Sequence, residues 1–144
     1  MTYLTWLQNL PRISGQAGLG RINALLAALG NPENDCKYVH IAGTNGKGTL
    51  AALTSSILQQ AGLKTGLTIS PYVLEFRERF QIDGQMIPHD TLEELAQRIH
   101  AAAETLPEVP AQFEAITALA FLWFSQQQCD IVVLETGIGG RCDA

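Results

Sequence analysis

The chain has 144 residues, 47% of them hydrophobic, 16% charged and 7% aromatic, with a formal net charge of -5. That apolar share can bury a core, so disorder is excluded, and the length suits one domain. An acidic chain with only three lysines, Lys37, Lys47 and Lys64, is a poor match for a nucleic-acid backbone, and its most apolar run, Ala115 to Phe124, falls short of the roughly 20 residues that span a bilayer.

Thr2 to Leu10 reads as a short helix stopped before Pro11, and the start of the chain has neither the basic residues nor the apolar run of a signal peptide. Gly15 and Gly18 mark a loop. Ile22, Leu25, Leu26 and Leu29 then recur at helical spacing over Leu19 to Leu29, with Gly30 as the stop. Asn31 to Asp35 is a turn. Tyr38 to Ala42 is a short β-rich run, followed by the glycine loop GTNGKGT at Gly43 to Thr49. A helix opens near Lys47 and continues over Leu50 to Gln60, with Leu50, Leu53, Ile57 and Leu58 as its apolar positions. Gly62 closes it, and Thr65 to Ile69 reads as a second strand. Strand, glycine loop, helix and strand form the kind of unit that builds parallel sheets covered by helices.

Ser70 to Arg79 is irregular. Asp83-Gly84 between β-formers predicts a hairpin over Phe80 to Ile87. Asp90 and Glu93 have the spacing of a capping box, opening a helix that runs to about Thr105. Pro107 and Pro110 bracket a loop, and Phe113 to Gln127 reads as a buried helix. Ile131 to Leu134 is a continuous apolar strand ending in Glu135, and GIGGRCDA follows. A glycine loop after a parallel strand ordinarily leads into another element, so the chain is expected to be the N-terminal piece of a longer protein.

The glycine loop carries the sharpest chemistry. It departs from the strict G-x-x-x-x-G-K-[ST] pattern, because Gly48 separates Lys47 from the hydroxyl of Thr49. Its physical parts remain. Gly43, Gly46 and Gly48 permit a sharp turn with inward-pointing N–H groups, the helix start adds its positive end, and Lys47 adds a full charge for the β- and γ-phosphates. Thr49 is placed to face a nucleotide's magnesium or a phosphate oxygen. A tight turn with an exposed lysine is the plainer reading, but a lysine inside such a loop, between strand and helix, favours phosphate binding.

Glu135 ends an apolar strand at the edge where open parallel sheets bind ligands. If its strand neighbours the first, this carboxylate sits near the phosphate loop and can hold magnesium; an exposed strand-end glutamate is the alternative. Ser70-Pro71 follows the second strand at the same edge, where the serine could cap a loop or ligate a metal. Glu75, Arg77, Glu78 and Arg79 read most simply as a solvated charged stretch, with a mobile loop that contacts substrate as the sharper alternative. His40, inside a strand, reads as a satisfied core histidine. Cys36, Cys129 and Cys142 form no C-x-x-C pair, which fits a reducing compartment, and Cys129 reads as a small buried residue. There is no nucleophile constellation.

Four segments in order resemble the folylpolyglutamate synthase/dihydrofolate synthase family, ATP-dependent ligases related to the Mur ligases. They are HIAGTNGKGT at His40 to Thr49, TISPYVLEFRERFQIDGQMI at Thr68 to Ile87, FEAITALAFLWF at Phe113 to Phe124 and VVLETGIGGRCDA at Val132 to Ala144. The similarity extends over essentially the whole chain. Gly48 after Lys47 points to the folate branch, since Mur loops usually place Ser or Thr directly after the lysine.

The resemblance implies an α/β fold: a P-loop and a mostly parallel sheet flanked by helices, like a truncated Mur ligase central domain. Residues 1–144 would be an incomplete N-terminal ATP-binding domain, with the C-terminal glutamate-ligase domain lying outside this chain. Gly43, Thr44, Asn45, Gly46, Lys47, Gly48 and Thr49 would cradle ATP. Ser70 and Glu135 would ligate Mg2+, with Lys47 and Glu135 as the catalytic pair. Phe113, Glu114, Asp143 and Ala144 would lie near the pterin. Tyr72 stands where the family often has His, and Cys142 stands where it usually has Leu. The implied reaction adds L-glutamate to dihydropteroate or to a reduced folate through an acyl phosphate, releasing ADP and phosphate. The resemblance further implies a cytoplasmic monomer with small-molecule substrates, neither membrane nor nucleic acid as partner, and little activity in the isolated chain. A Mur-type cell-wall ligase and a non-catalytic nucleotide-binding module are the competing readings.

Overall fold

The computed structural model describes residues 2–12, 19–42, 46–69 and 74–135, apart from the side chain of Lys47. In chain order the elements are α1 (Tyr3–Gln8), α2 (Gly20–Ala28), β1 (Lys37–Ile41), α3 (Lys47–Gln60), β2 (Thr65–Thr68), β3 (Gln81–Ile82), β4 (Gln85–Met86), α4 (His89–Glu104), α5 (Gln112–Gln126) and β5 (Ile131–Glu135). Short 3₁₀ turns occupy Pro32–Asp35 and Phe76–Arg79.

The five strands form one sheet in the order β1-β5-β2-β3-β4. β5 lies parallel between β1 and β2, with Val39 opposite Val133 and Leu67 opposite the same residue on the other side. The β3–β4 hairpin adds an antiparallel edge to β2. Its turn uses Asp83 (φ 50°) and Gly84 (φ 81°), the positive dihedrals that a two-residue hairpin needs. Asp83 also fixes the hairpin to β2: its Oδ1 accepts from Thr65 N at 2.9 Å, and its own N–H donates to Thr65 O at 2.9 Å. The expected α/β architecture is present, with the three longer strands all parallel.

Alternating strand residues divide the core in two. Ile41, Leu67 and Val133 face Ala51 of α3, while Val132 faces the larger core built by α1, α2, α4 and α5. Helix α5 is buried continuously from Glu114 to Phe124, as a helix enclosed on all sides must be. It approaches the sheet so closely that a Cβ on Gly66 would lie 2.7 Å from the Phe124 ring. Cys129 is buried, as expected, and burial pushes its thiol up to about 12. No helix among the described residues is long and apolar enough to cross a membrane.

Four sequence expectations are corrected. Leu50, Leu53 and Ile57 of α3 are exposed, while Ala51 and the partly buried Leu58 pack against the sheet residues Ile41, Leu67 and Val133. His40 is exposed rather than in the core. Glu93 does not close a capping box with Asp90; its two carboxylate oxygens accept from Tyr3 N and Leu4 N, both at 2.9 Å, so it caps α1 from across the fold. The charged stretch at 75–79 is a half-buried, tied structure. Glu78 Oε2 accepts from Leu74 N and Glu75 N, and Arg77 donates to Glu75 Oε1 and to Ile87 O.

Candidate functional site

The site begins where β1 ends. Gly46 is the N-cap of α3 and has φ 73°, a left-handed conformation that glycine adopts without strain. Its carbonyl accepts from Leu50 N at 3.0 Å, closing the first helical turn. Among the described residues no side chain caps that end, and no acidic residue lies in its first turn. The first N–H groups of α3 lie at the positive end of a 14-residue helix, a position that favours an anion. Gly48 and Thr49 are exposed there.

β5 supplies the carboxylate. Because β1 and β5 are parallel neighbours, Ile41 lies directly opposite Glu135. Glu135 Oε2 is 3.8 Å from the point a Cβ on Gly48 would occupy. Glu135 therefore lies beside Gly48 in the first turn of α3. Carboxylate oxygen is a ligand type suited to a hard cation such as Mg2+. Among the described residues no cluster of three or more His, Cys, Asp or Glu could hold a metal by itself. β2 ends at Thr68, opposite Leu134, so the chain leaves toward residue 70 from the same edge. Gly43, Thr44, Asn45, Ser70, Asp143 and Ala144 lie outside the described residues, as do Tyr72 and Cys142.

Phe113 and Glu114 come to this edge by topology. A short turn joins α5 to β5, so the helix runs back over the sheet and its first turn lies toward the carboxyl end of β5. α5 is on the opposite face from α3. Phe113 is half-buried. Glu114 is buried, and its Oε1 accepts from Ala111 N at 2.8 Å and from Arg21 Nε at 3.0 Å. Arg21 was not visible as a site residue in the sequence, since 93 positions separate it from its partner.

No protein-family model matches the chain. It is 39% identical over 146 residues to a folylpolyglutamate synthase of Lacticaseibacillus casei, a match covering 98% of this chain and 34% of that protein. It is 38% identical over 145 residues to a dihydrofolate synthase/folylpolyglutamate synthase of Bacillus subtilis, covering 97% and 34%. Among solved structures, an FPGS–AMPPCP–folate complex superposes with a TM-score of 0.94 at 39% identity, covering 99% of this chain and 37% of that one. Escherichia coli FolC in complex with DHPP and ADP gives 0.89 at 34% identity, covering 100% and 35%. The chain thus spans about a third of the length of the relatives it matches.

Proposed function

We propose, from a chain homologous over nearly its whole length to the folylpolyglutamate synthase/dihydrofolate synthase family, that it is the ATP- and Mg2+-binding part of an acid–amino-acid ligase acting on folates. The substrate carboxylate, from dihydropteroate or the terminal glutamate of a reduced folate, is phosphorylated by ATP. The amine of L-glutamate then displaces phosphate and forms the amide. Relatives solved with an ATP analogue and folate, or with ADP and DHPP, support this substrate class, and they do not favour the cell-wall reading. We assign the activity to the cytoplasm and to a monomer.

The observation that carries the reading is Glu135 set against the glycine-led start of α3. In this scheme residues 43–49 hold the polyphosphate through backbone N–H groups. Lys47 neutralises charge developing on the transferred phosphoryl group, and Thr49 offers a hydroxyl to the same tail. Ser70 and Glu135 would hold Mg2+, which would supply compensating positive charge for the phosphates. Phe113, Glu114, Asp143 and Ala144 would lie near the pterin. Positioning and charge stabilisation carry such chemistry, so no nucleophilic side chain is required.

The test is an ADP-release assay on the ligase containing this chain, with ATP, Mg2+ and L-glutamate. ADP formation that requires dihydropteroate or a reduced folate supports the proposal. ADP formation indifferent to every pteroyl compound contradicts it.

A further inference from the structure

The first turn of α5 is fastened on three sides. Gln112 N donates to Pro11 O at 2.7 Å, and Gln112 Nε2 donates to Gln8 O at 2.5 Å. Two residues on, Glu114 joins the turn's own Ala111 N–H to the guanidinium of Arg21, in the first turn of α2. The Arg21 and Glu114 side chains are 13% and 10% exposed, so this is a largely desolvated ion pair. Phe113 sits between the two fastened residues.

We propose that Arg21 is a positioning residue for the pteridine end of the substrate. It acts through Glu114 to fix the turn that presents Phe113; the inference rests on the substrate class proposed above. Glu114 thereby becomes a structural intermediary, and its Oε1, already accepting two hydrogen bonds, is not the atom that reads the ligand.

The physical case is one of leverage. A buried carboxylate that loses its cation must find another partner or draw in water, and either response moves the turn. Displacing a binding group by about 1 Å is enough to weaken ligand contacts strongly. The phosphate site lies on the other face of the sheet, at α3, and shares no hydrogen bond with this turn among the described residues. Loss of Arg21 should therefore separate the two substrates, harming the pteroyl compound and sparing ATP.

The test compares Arg21→Met, Arg21→Lys and Phe113→Ala with the parent ligase, measuring KM for the pteroyl substrate and for ATP separately, and kcat. Expected for Arg21→Met is a rise of about tenfold or more in the pteroyl KM, with the ATP KM within about twofold. Arg21→Lys, which keeps a cation for Glu114, should recover most of that loss. If Arg21→Met unfolds, Glu114→Gln serves instead, since its amide oxygen still accepts from Ala111 N while the charge facing Arg21 is gone; the same split is expected. An unchanged pteroyl KM, or equal losses for both substrates, overturns the proposal. Phe113→Ala separates the two claims. If it raises the pteroyl KM while Arg21→Met does not, the positioning role fails and the substrate class stands. If Phe113→Ala leaves the pteroyl KM unchanged, the pteridine assignment of this turn fails and the proposal with it.

Discussion

Gly66 carries a constraint that its sequence context does not announce. A Cβ there would lie 2.7 and 2.8 Å from two atoms of the Phe124 ring, and Phe124 is fully buried against it. Gly66→Ala must push either the ring or the strand, and overpacking of this kind costs about 1–3 kcal/mol. Urea unfolding should show that loss with an unchanged m-value; a variant as stable as the parent would mean that α5 sits farther from β2. Lys47 belongs to the same scale but reports on chemistry. Lys47→Ala in the ligase should lower turnover by about 10²-fold or more while leaving the unfolding midpoint in place, because removing one charge-stabilising donor typically has that effect. Cys129 gives the pH signature. Its thiol is pushed up from 9.0 to about 12 by burial, so the native state favours the neutral form. The resulting stability is complete below pH 9 and is lost as pH rises toward 12. Cys129→Ala should flatten the alkaline part of the stability profile, and an unchanged profile would exclude this thiol as its source.

Helix α3 shows what periodicity can and cannot give. Apolar residues at 50, 53, 57 and 58 correctly indicate a helix, and its observed range, Lys47–Gln60, begins where the helix was expected to open. Of those four, only Leu58 packs against the core. Leu50, Leu53 and Ile57 are 51%, 57% and 68% exposed, while Ala51 and Ser55 face inward. Small residues let the helix lie close to the strands, and which stripe of a helix meets the sheet is a tertiary matter that spacing leaves open. Leu53→Glu should therefore change stability by no more than about 0.5 kcal/mol, as surface substitutions do. A loss of several kcal/mol would restore the sequence reading. Helix α4 teaches the same lesson through Glu93. The capping spacing is genuine, but the carboxylate serves α1, a partner 89 and 90 residues away in sequence. Local signals locate helix ends well; they do not say whose N–H groups a carboxylate will satisfy.

For the whole molecule, the decisive fact is strand order. The sequence made an encounter between Glu135 and the glycine loop conditional on their strands being neighbours. The order β1-β5-β2 meets that condition and brings the carboxyl ends of β1, β5 and β2 to one edge of the sheet. Parallel strands reached by crossovers permit several orders, so composition and local pattern could suggest the sheet but not the adjacency. The Arg21–Glu114 tie was illegible for the same reason, since it joins elements that meet only after folding.

The measurement that bears most directly on this arrangement is calorimetric titration of AMPPCP into the ligase, with and without Mg2+, for the parent and for Glu135→Gln. The parent should bind one nucleotide, at least about tenfold more tightly with Mg2+ than without, and the substitution should erase most of that difference. Equal magnesium dependence in both proteins, or no nucleotide binding to the parent, would contradict a site built from the start of α3 and the end of β5.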